Sequence, residues 1–86
     1  MENVVIVIPS LDPDNKLLDL LTSIRQQNQI WPIVIIDDGS GNAYDAVFEE
    51  AQAKHHCIVI RHAENKGKGA AIKTAIRYIL SNLKSA

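Results

Sequence analysis

The sequence lacks the features that mark several large classes of protein. Its 86 residues include one cysteine, Cys57, which excludes an internal disulfide and fits a reduced, cytoplasmic setting. The formal net charge of −1 gives no electrostatic basis for binding nucleic acid or an anionic membrane. No apolar run approaches the roughly 18 residues of a membrane span, and the amino terminus lacks the basic segment of a secretion signal. We therefore expect one soluble domain without a membrane segment, and we leave membrane association open for a longer form of the protein.

Several motifs of catalytic and metal sites are missing as well. Gly67-Lys68-Gly69 lacks the third glycine of a dinucleotide fingerprint, and it also lacks the spacing of a phosphate-binding P-loop. No histidine, carboxylate and cysteine spacing suggests zinc, and no serine stands in a nucleophile elbow. These observations argue against dinucleotide binding, P-loop chemistry, a zinc site and serine-hydrolase activity.

What the sequence does contain is three short apolar runs separated by helical patterns. Val4–Ile8, Ile33–Ile36 and Cys57–Ile60 are continuous and mostly β-branched, which is typical of strands buried on both faces. The apolar spacing predicts helices over about 15–28 and 44–54, with Asp14 or Asn15 capping the first. A third helix is predicted to bury a stripe made of Ile72, Ala75, Ile76, Ile79, Leu80 and Leu83.

This β-α-β-α-β-α order predicts an α/β fold with three layers, half of a doubly wound, Rossmann-like domain. Parallel strands joined by right-handed helical crossovers should lie in the sheet order 3-2-1. Strand 1 then forms an edge, although its sequence is that of a strand covered on both sides. We therefore expect either self-association into a homo-oligomer through strand 1 or a chain that is part of a longer protein.

Three polar loops should meet at the carboxyl ends of the strands, where open α/β sheets bind ligands. Asp37 and Asp38 could accept hydrogen bonds from a base or ribose, or help to hold a metal; they could equally form a turn. Lys66 and Lys68 alternate with glycines just before a helix, which favours phosphate unless the segment is only a solvated basic loop. Acceptors beside phosphate-binding groups predict a nucleotide pocket.

The motifs in Val4–Ser10, Ile35–Ser40 and Asn65–Ala71 resemble the opening motifs of family 2 glycosyltransferases, in the same order and spacing. The resemblance implies a GT-A fold and transfer of a sugar from a nucleotide-sugar donor, with UDP expected as the nucleotide, to an acceptor hydroxyl. The nucleotide-binding residues that it implies are Pro9, Ser10, Leu11, Asp12, Asp37, Asp38, Gly39, Asn65, Gly67 and Lys68.

The sequence departs from the family pattern in two places. The family usually has Pro-x-Tyr-Asn-Glu where this chain has Pro9-Ser10-Leu11-Asp12-Pro13, which makes Asp12 the substitute acid. The family's metal-binding Asp-x-Asp and its catalytic base follow the third helix, so both are expected beyond Ala86. The resemblance thus implies that residues 1–86 are a single nucleotide-sugar-binding subdomain of a truncated GT-A domain. Magnesium or manganese would bind only in the full-length enzyme, and this chain would contain no catalytic residue and be inactive alone.

Other classes of protein share this architecture. A non-enzymatic α/β interaction module or a receiver-like domain would use Asp37 and Asp38 only to turn the chain. Receiver domains, however, carry their acidic pair after the first strand. Nucleotidyltransferases usually have a basic, glycine-rich loop after strand 1, and Ser10–Asn15 is not such a loop. The glycosyltransferase interpretation therefore leads, with the interaction module as its alternative.

Overall fold

The computed structural model describes residues 4–83, which form an alternating α/β unit. The elements in chain order are β1 (Ile6–Ser10), α1 (Asn15–Gln27), β2 (Ile33–Asp37), α2 (Asp45–His55), β3 (Ile58–Arg61) and α3 (Lys68–Tyr78). A 3-10 turn, Asn42–Tyr44, precedes α2, and a π-type segment, Ile79–Leu83, follows α3. The predicted order of strands and helices is confirmed.

The strands form a parallel sheet with β2 in the centre. Ile6 pairs with Ile33 at one end of the β1–β2 ladder, and Ser10 pairs with Asp37 at the other end. On the opposite side of β2, the ladder with β3 ends at the pair Asp37 and Arg61. The order β1-β2-β3 confirms the predicted 3-2-1 arrangement, in which β1 is an edge strand.

Helices cover both faces of the sheet, which confirms the three layers. Successive side chains of a strand point to opposite faces, so alternate residues of β2 enter different cores. Ile33 and Ile35 pack with residues of α1 and α2. Val34 and Ile36 pack with residues of α3. Because all four are fully buried, β2 is the part of the chain around which both cores form.

The strand boundaries differ from the predicted ones at the carboxyl ends. The first predicted strand is the apolar run Val4–Ile8, but β1 continues past it, and Pro9 and Ser10 are its last two residues. The ladder extends this far because the Asp38 N–H donates to the Ser10 carbonyl at 2.8 Å. Proline is tolerated there because β1 is an edge strand, where a missing N–H does not break a ladder. β2 and β3 likewise continue by one residue, to Asp37 and Arg61.

The first helix begins and ends close to its predicted bounds. The Asp14 side chain accepts a hydrogen bond from the Lys16 N–H at 2.9 Å, so Asp14 is the N-cap. At the other end, the Arg25 side chain donates to the carbonyls of His55 at 2.7 Å and Trp31 at 2.8 Å. This arginine joins the ends of α1 and α2 to the segment that leads into β2.

The buried stripe predicted for the last helix is mostly wrong. Ala71 and Ala75 face the sheet and are fully buried, whereas Ile72, Ile76 and Leu80 are 41%, 48% and 63% exposed. Small side chains let the α3 backbone approach β2 closely, which turns the larger apolar residues away from the core. Ile79 is half-buried against this core, and the side chain of Leu83 lies outside the described residues.

Two predictions concern membranes and partner chains, and the structure bears only on the first. Within residues 4–83, no helix has the length and apolar character needed to cross a membrane. Self-association through the edge of β1 stays a prediction.

Candidate functional site

A cleft of about 310 Å³ lies at the carboxyl edge of the sheet, between the end of β1 and the start of α3. Parallel strands bring their carboxyl ends to one edge, so the segments after β1, β2 and β3 meet there. The residues that line the cleft are Pro9, Ser10, Leu11, Asp38, Asn65, Gly67, Lys68 and Ala71. The cleft thus combines apolar groups, such as Pro9 and Leu11, with polar groups, such as Asp38 and Lys68.

Asp38 is the buried carboxylate of this cleft. Its Oδ1 accepts the Lys66 N–H at 2.9 Å and lies 3.0 Å from Nδ1 of His62. Its Oδ2 accepts the Gly67 N–H, also at 2.9 Å. The Lys66 hydrogen bond, followed by the His62 contact, holds the pKa of Asp38 below its ordinary value. Asp38 is therefore ionised at neutral pH, and it fixes the turn that leads into α3.

His62 connects Asp38 to the α3 helix. Its ring is 10% exposed, and its Nε2 lies 2.9 Å from the hydroxyl of Thr74. The Thr74 hydroxyl is also 3.0 Å from the Ala70 carbonyl within α3. The histidine ring is therefore held at both nitrogens.

Asp37, the neighbour of Asp38, points to the other face of the sheet. Its Oδ2 accepts a hydrogen bond from Nε of Arg61 at 2.7 Å, and its Oδ1 accepts the Ser40 N–H at 2.9 Å. Arg61 also pairs with Asp45 at the start of α2 and donates to the Gly41 carbonyl at 2.9 Å. The ion pair with Asp45, then the one with Asp37, raises the pKa of Arg61 above its ordinary value. Asp37 therefore ties β2 to β3 and α2.

Gly39 allows the loop after β3 to pass close to the loop after β2. Its φ is +90°, and a Cβ at this position would lie 2.5 Å from the Asn65 nitrogen and 2.6 Å from the Glu64 carbonyl carbon. Both the backbone angle and the lack of space thus require glycine. The next residue, Ser40, accepts the Asp12 N–H at 2.7 Å through its hydroxyl, which joins the loops after β1 and β2.

The start of α3 forms the basic side of the cleft. Lys68 is the first residue of the helix, and Gly67 precedes it with a φ of +93°. No side chain caps this helix, so the N–H groups of its first turn are available to other acceptors. The partial positive charge of a helix N-terminus and the Lys68 ammonium both favour an anion there.

The structure brings most of the predicted site residues together. Seven of them line the cleft, namely Pro9, Ser10, Leu11, Asp38, Asn65, Gly67 and Lys68. Asp37 is the last residue of β2, Asp12 and Gly39 lie in the adjoining loops, and none of the three lines the cleft. Their role in binding a nucleotide, and that of the other seven, stays a prediction.

Three residues that support the site were not singled out from the sequence. Arg61 pairs with Asp37, Thr74 contacts His62, and Ala71 lines the cleft. The position of Arg61 directly after the third apolar run, as Asp37 directly follows the second, is a signal that could have revealed this pair. The position of Thr74 depends on the rotation of α3, which its apolar pattern predicts incorrectly.

A metal site does not form among the described residues. In residues 4–83, no three histidine, cysteine or carboxylate side chains come together in a group that could hold a metal ion. The carboxylates of the cleft region do not fit this role, since Asp37 and Asp38 point to opposite layers and use their oxygens for other contacts. The divalent metal implied for the full-length enzyme stays a prediction.

The fold and the cleft define an α/β domain that has a ligand-sized site at the carboxyl edge of a parallel sheet. The sequence model of the family described as Glycosyl transferase family 2 matches residues 5–83, nearly the whole chain. The chain therefore belongs to glycosyltransferase family 2, and the resemblance seen in its motifs is confirmed. Neither the curated proteins nor the solved structures contain a match to this chain.

Proposed function

We propose that this chain is the nucleotide-sugar-binding part of a glycosyltransferase and that its cleft binds the UDP portion of the donor. The observation that carries the proposal is a cleft to which the segments after all three strands contribute, and whose lining includes a buried carboxylate and a basic helix start. Membership of a family of sugar transferases supports a sugar donor as the class of ligand.

In this proposal, Asp38 contacts the nucleoside. Its Oδ2 accepts one hydrogen bond within the protein, from Gly67, and a carboxylate oxygen has capacity for a second. An ionised carboxylate accepts hydrogen bonds but does not donate them, so its partners would be a uracil N–H or a ribose hydroxyl. Pro9 and Leu11 supply apolar surface next to it for the base or ribose ring.

The diphosphate would lie at the start of α3. Gly67 has no side chain there, and a Cβ at this position would meet no atom within 4 Å, so the space above its backbone is open. Uncapped N–H groups of the first helical turn and the Lys68 ammonium would then hydrogen-bond the phosphate oxygens. Asn65 lines the same side of the cleft and offers an amide.

Asp37 and Gly39 would support binding without touching the donor. Asp37 holds Arg61 on the opposite side of the sheet, and Gly39 lets residues 64–65 approach the Asp38 loop. Asp12 would act through the hydrogen bond between its N–H and Ser40, which fixes the loop after β1.

The proposal assigns donor binding to this chain and assigns no chemical step to it. The described residues supply neither a metal ligand set nor a carboxylate free to deprotonate an acceptor hydroxyl within the cleft. The 86-residue polypeptide alone should therefore show no sugar transfer. Turnover of a UDP-sugar by the purified chain, with magnesium or manganese present, would overturn this part of the proposal.

Titration of UDP into the ¹⁵N-labelled chain tests binding directly. UDP should shift the amide signals of Asp38, Gly67 and Lys68, and uridine should bind more weakly because it lacks the diphosphate. Replacing Lys68 by alanine should weaken UDP binding about fivefold, the usual effect of losing one exposed charge-assisted contact. Lys73→Ala is the matched control, since this exposed lysine lies on α3 and does not line the cleft.

Two results would contradict donor binding. The first is the absence of any amide shift at millimolar UDP. The second is an equal loss of affinity in Lys68→Ala and Lys73→Ala, which would show a non-specific attraction between UDP and the positive charge of α3.

A further inference from the structure

We infer that His62 and Thr74 are positioning residues that hold Asp38 and the Lys66–Gly67 turn in the shape that the cleft requires. The side chains of Asp38, His62 and Thr74 form a continuous series of contacts from the residue after β2 to the second turn of α3, with distances of 3.0 Å and 2.9 Å. Neither His62 nor Thr74 lines the cleft. The consequence for UDP binding rests on the proposed function, whereas the hydrogen-bond chain itself does not.

The proton positions in this series of hydrogen bonds follow from the chemistry of Asp38 and Thr74, the residues at its two ends. Ionised Asp38 can only accept, so Nδ1 of His62 must carry a hydrogen and donate it. Nε2 then has two arrangements: it accepts from the Thr74 hydroxyl, or it is protonated and donates to that hydroxyl. In the second arrangement the Thr74 hydroxyl donates to the Ala70 carbonyl, which lies 3.0 Å away. Rotation of the Thr74 hydroxyl therefore satisfies the hydrogen bonds of both arrangements.

The backbone fixes the histidine independently of its ring. The His62 N–H donates at 2.7 Å to the Asp37 carbonyl, which belongs to the peptide bond between Asp37 and Asp38. This bond holds His62 next to Asp38, whose Oδ1 is within hydrogen-bond distance of both the ring and the Lys66 N–H. With both donors in place, the carboxylate is held so that Oδ2 meets the Gly67 N–H at 2.9 Å.

Loss of the histidine contact should therefore reach the cleft through Asp38. Oδ1 would keep only the Lys66 N–H, and the carboxylate could rotate away from Gly67. Gly67 also donates to the Asn65 side chain at 3.0 Å, which would become its main acceptor. The turn before α3 would then relax toward Asn65, and the N–H groups facing the cleft would move.

Four substitutions separate this role from simple packing. His62→Asn can place an amide near the position of Nδ1 and keep the bond to Asp38, whereas His62→Gln can reach only toward the Nε2 position. Thr74→Val removes the hydroxyl at nearly constant volume, and Thr74→Ser retains it. Thermal unfolding of each variant identifies those that fold, and the threonine pair tests the inference even if both histidine variants unfold.

The first measurement uses no nucleotide. The ¹⁵N shifts of the imidazole should show that Nδ1 of His62 carries a hydrogen, and Thr74→Val should alter the Nε2 shift while Thr74→Ser should not. Amide exchange of Lys66 and Gly67 should speed up about tenfold in His62→Gln, the expected effect of losing about one hydrogen bond, and less in His62→Asn. An imidazole that carries no hydrogen on Nδ1, or equal exchange in the Asn and Gln variants, would overturn the inference.

The second measurement is UDP affinity in the same variants. His62→Gln should lose about tenfold and Thr74→Val about threefold, with His62→Asn and Thr74→Ser closer to the unchanged chain. If the unchanged chain does not bind UDP, the proposed function fails, and the imidazole and exchange measurements still decide the positioning role. If the unchanged chain binds UDP and all four variants bind equally well, the positioning inference fails and the proposed function stands.

Discussion

Asp37 and Asp38 are adjacent and chemically identical, yet they belong to different layers of the molecule. Asp37 is 1% exposed and pairs with Arg61 on the α2 side of the sheet. Asp38 is 6% exposed, faces the α3 side and lines the cleft. The alternation of side chains along an extended backbone separates the two. One acidic pair thus supplies both a structural ion pair and the carboxylate of the candidate site.

The partners of the two carboxylates differ in kind as well as in place. Asp37 is held mainly by the side chain of Arg61, which also contacts Asp45 and lies 4.8 Å from the centre of the Phe48 ring. Asp38 is held by two backbone N–H groups and a histidine. Substitutions that remove the partners of Asp37 should therefore lower the stability of the domain, whereas substitutions that remove the partners of Asp38 should change the shape of the cleft.

The largest loss of stability is expected from Gly39→Ala, because Gly39 lies where the loop after β2 contacts the loop after β3. The positive φ and the backbone atoms at 2.5 Å together should lower the free energy of unfolding by about 4 kcal/mol. Gly41→Ala is the control: its φ of +83° is similar, but a Cβ there would meet nothing within 4 Å. It should cost about 2 kcal/mol, from backbone strain alone. Equal losses in urea denaturation would show that the close approach of residues 64–65 contributes nothing.

Arg61→Met should have the next largest effect, and only on stability. It leaves the buried Asp37 carboxylate without its ion-pair partner, which should lower the free energy of unfolding by about 3 kcal/mol. Lys54→Met breaks the exposed pair between Lys54 and Glu50 and should cost less than about 0.5 kcal/mol. At a temperature where Arg61→Met is folded, its UDP affinity should be unchanged. A loss of affinity without a loss of stability would reverse the roles assigned to the two aspartates.

Asp38→Asn should affect the cleft and change the acid dependence of stability. Because the folded pKa of Asp38 lies below its ordinary value, its ionised form stabilises the fold above about pH 4, and this contribution is lost as the pH falls through the folded pKa. The stability difference between the unchanged chain and Asp38→Asn should thus be constant near neutral pH and shrink below about pH 4. Urea denaturation across this range measures it, and a difference that grows toward low pH would contradict the assignment. UDP affinity should fall about tenfold in the same variant.

Gly69→Ala should have the smallest effect, and it should be favourable. Gly69 lies in the first turn of α3, and a Cβ there would meet no atom within 4 Å. Alanine should therefore raise the free energy of unfolding by about 0.5 kcal/mol through helix propensity. Gly67→Ala, two residues earlier at a φ of +93°, should instead destabilise. A destabilised Gly69→Ala would contradict the open space around this residue.

The sequence predicted much of the candidate site because its residues follow strand ends. Three apolar runs fixed where the strands lie, and right-handed crossovers then brought Pro9–Leu11, Asp38 and Asn65–Lys68 to one edge. The sequence could not assign separate roles to Asp37 and Asp38. That assignment depends on where β2 ends and how α3 sits, and an error of one residue in a strand exchanges the two faces.

The sequence by itself determined the alternation of strands and helices, the order of the sheet and the family to which the chain belongs. Local apolar patterns and motif spacing are sufficient for these properties, since neither requires knowledge of side-chain partners. Only the tertiary structure decided the rotation of α3, which buries Ala71 and Ala75 rather than Ile72 and Ile76. It also decided that Arg61 pairs with Asp37 and His62 with Asp38, because these contacts join residues 24 positions apart in the chain.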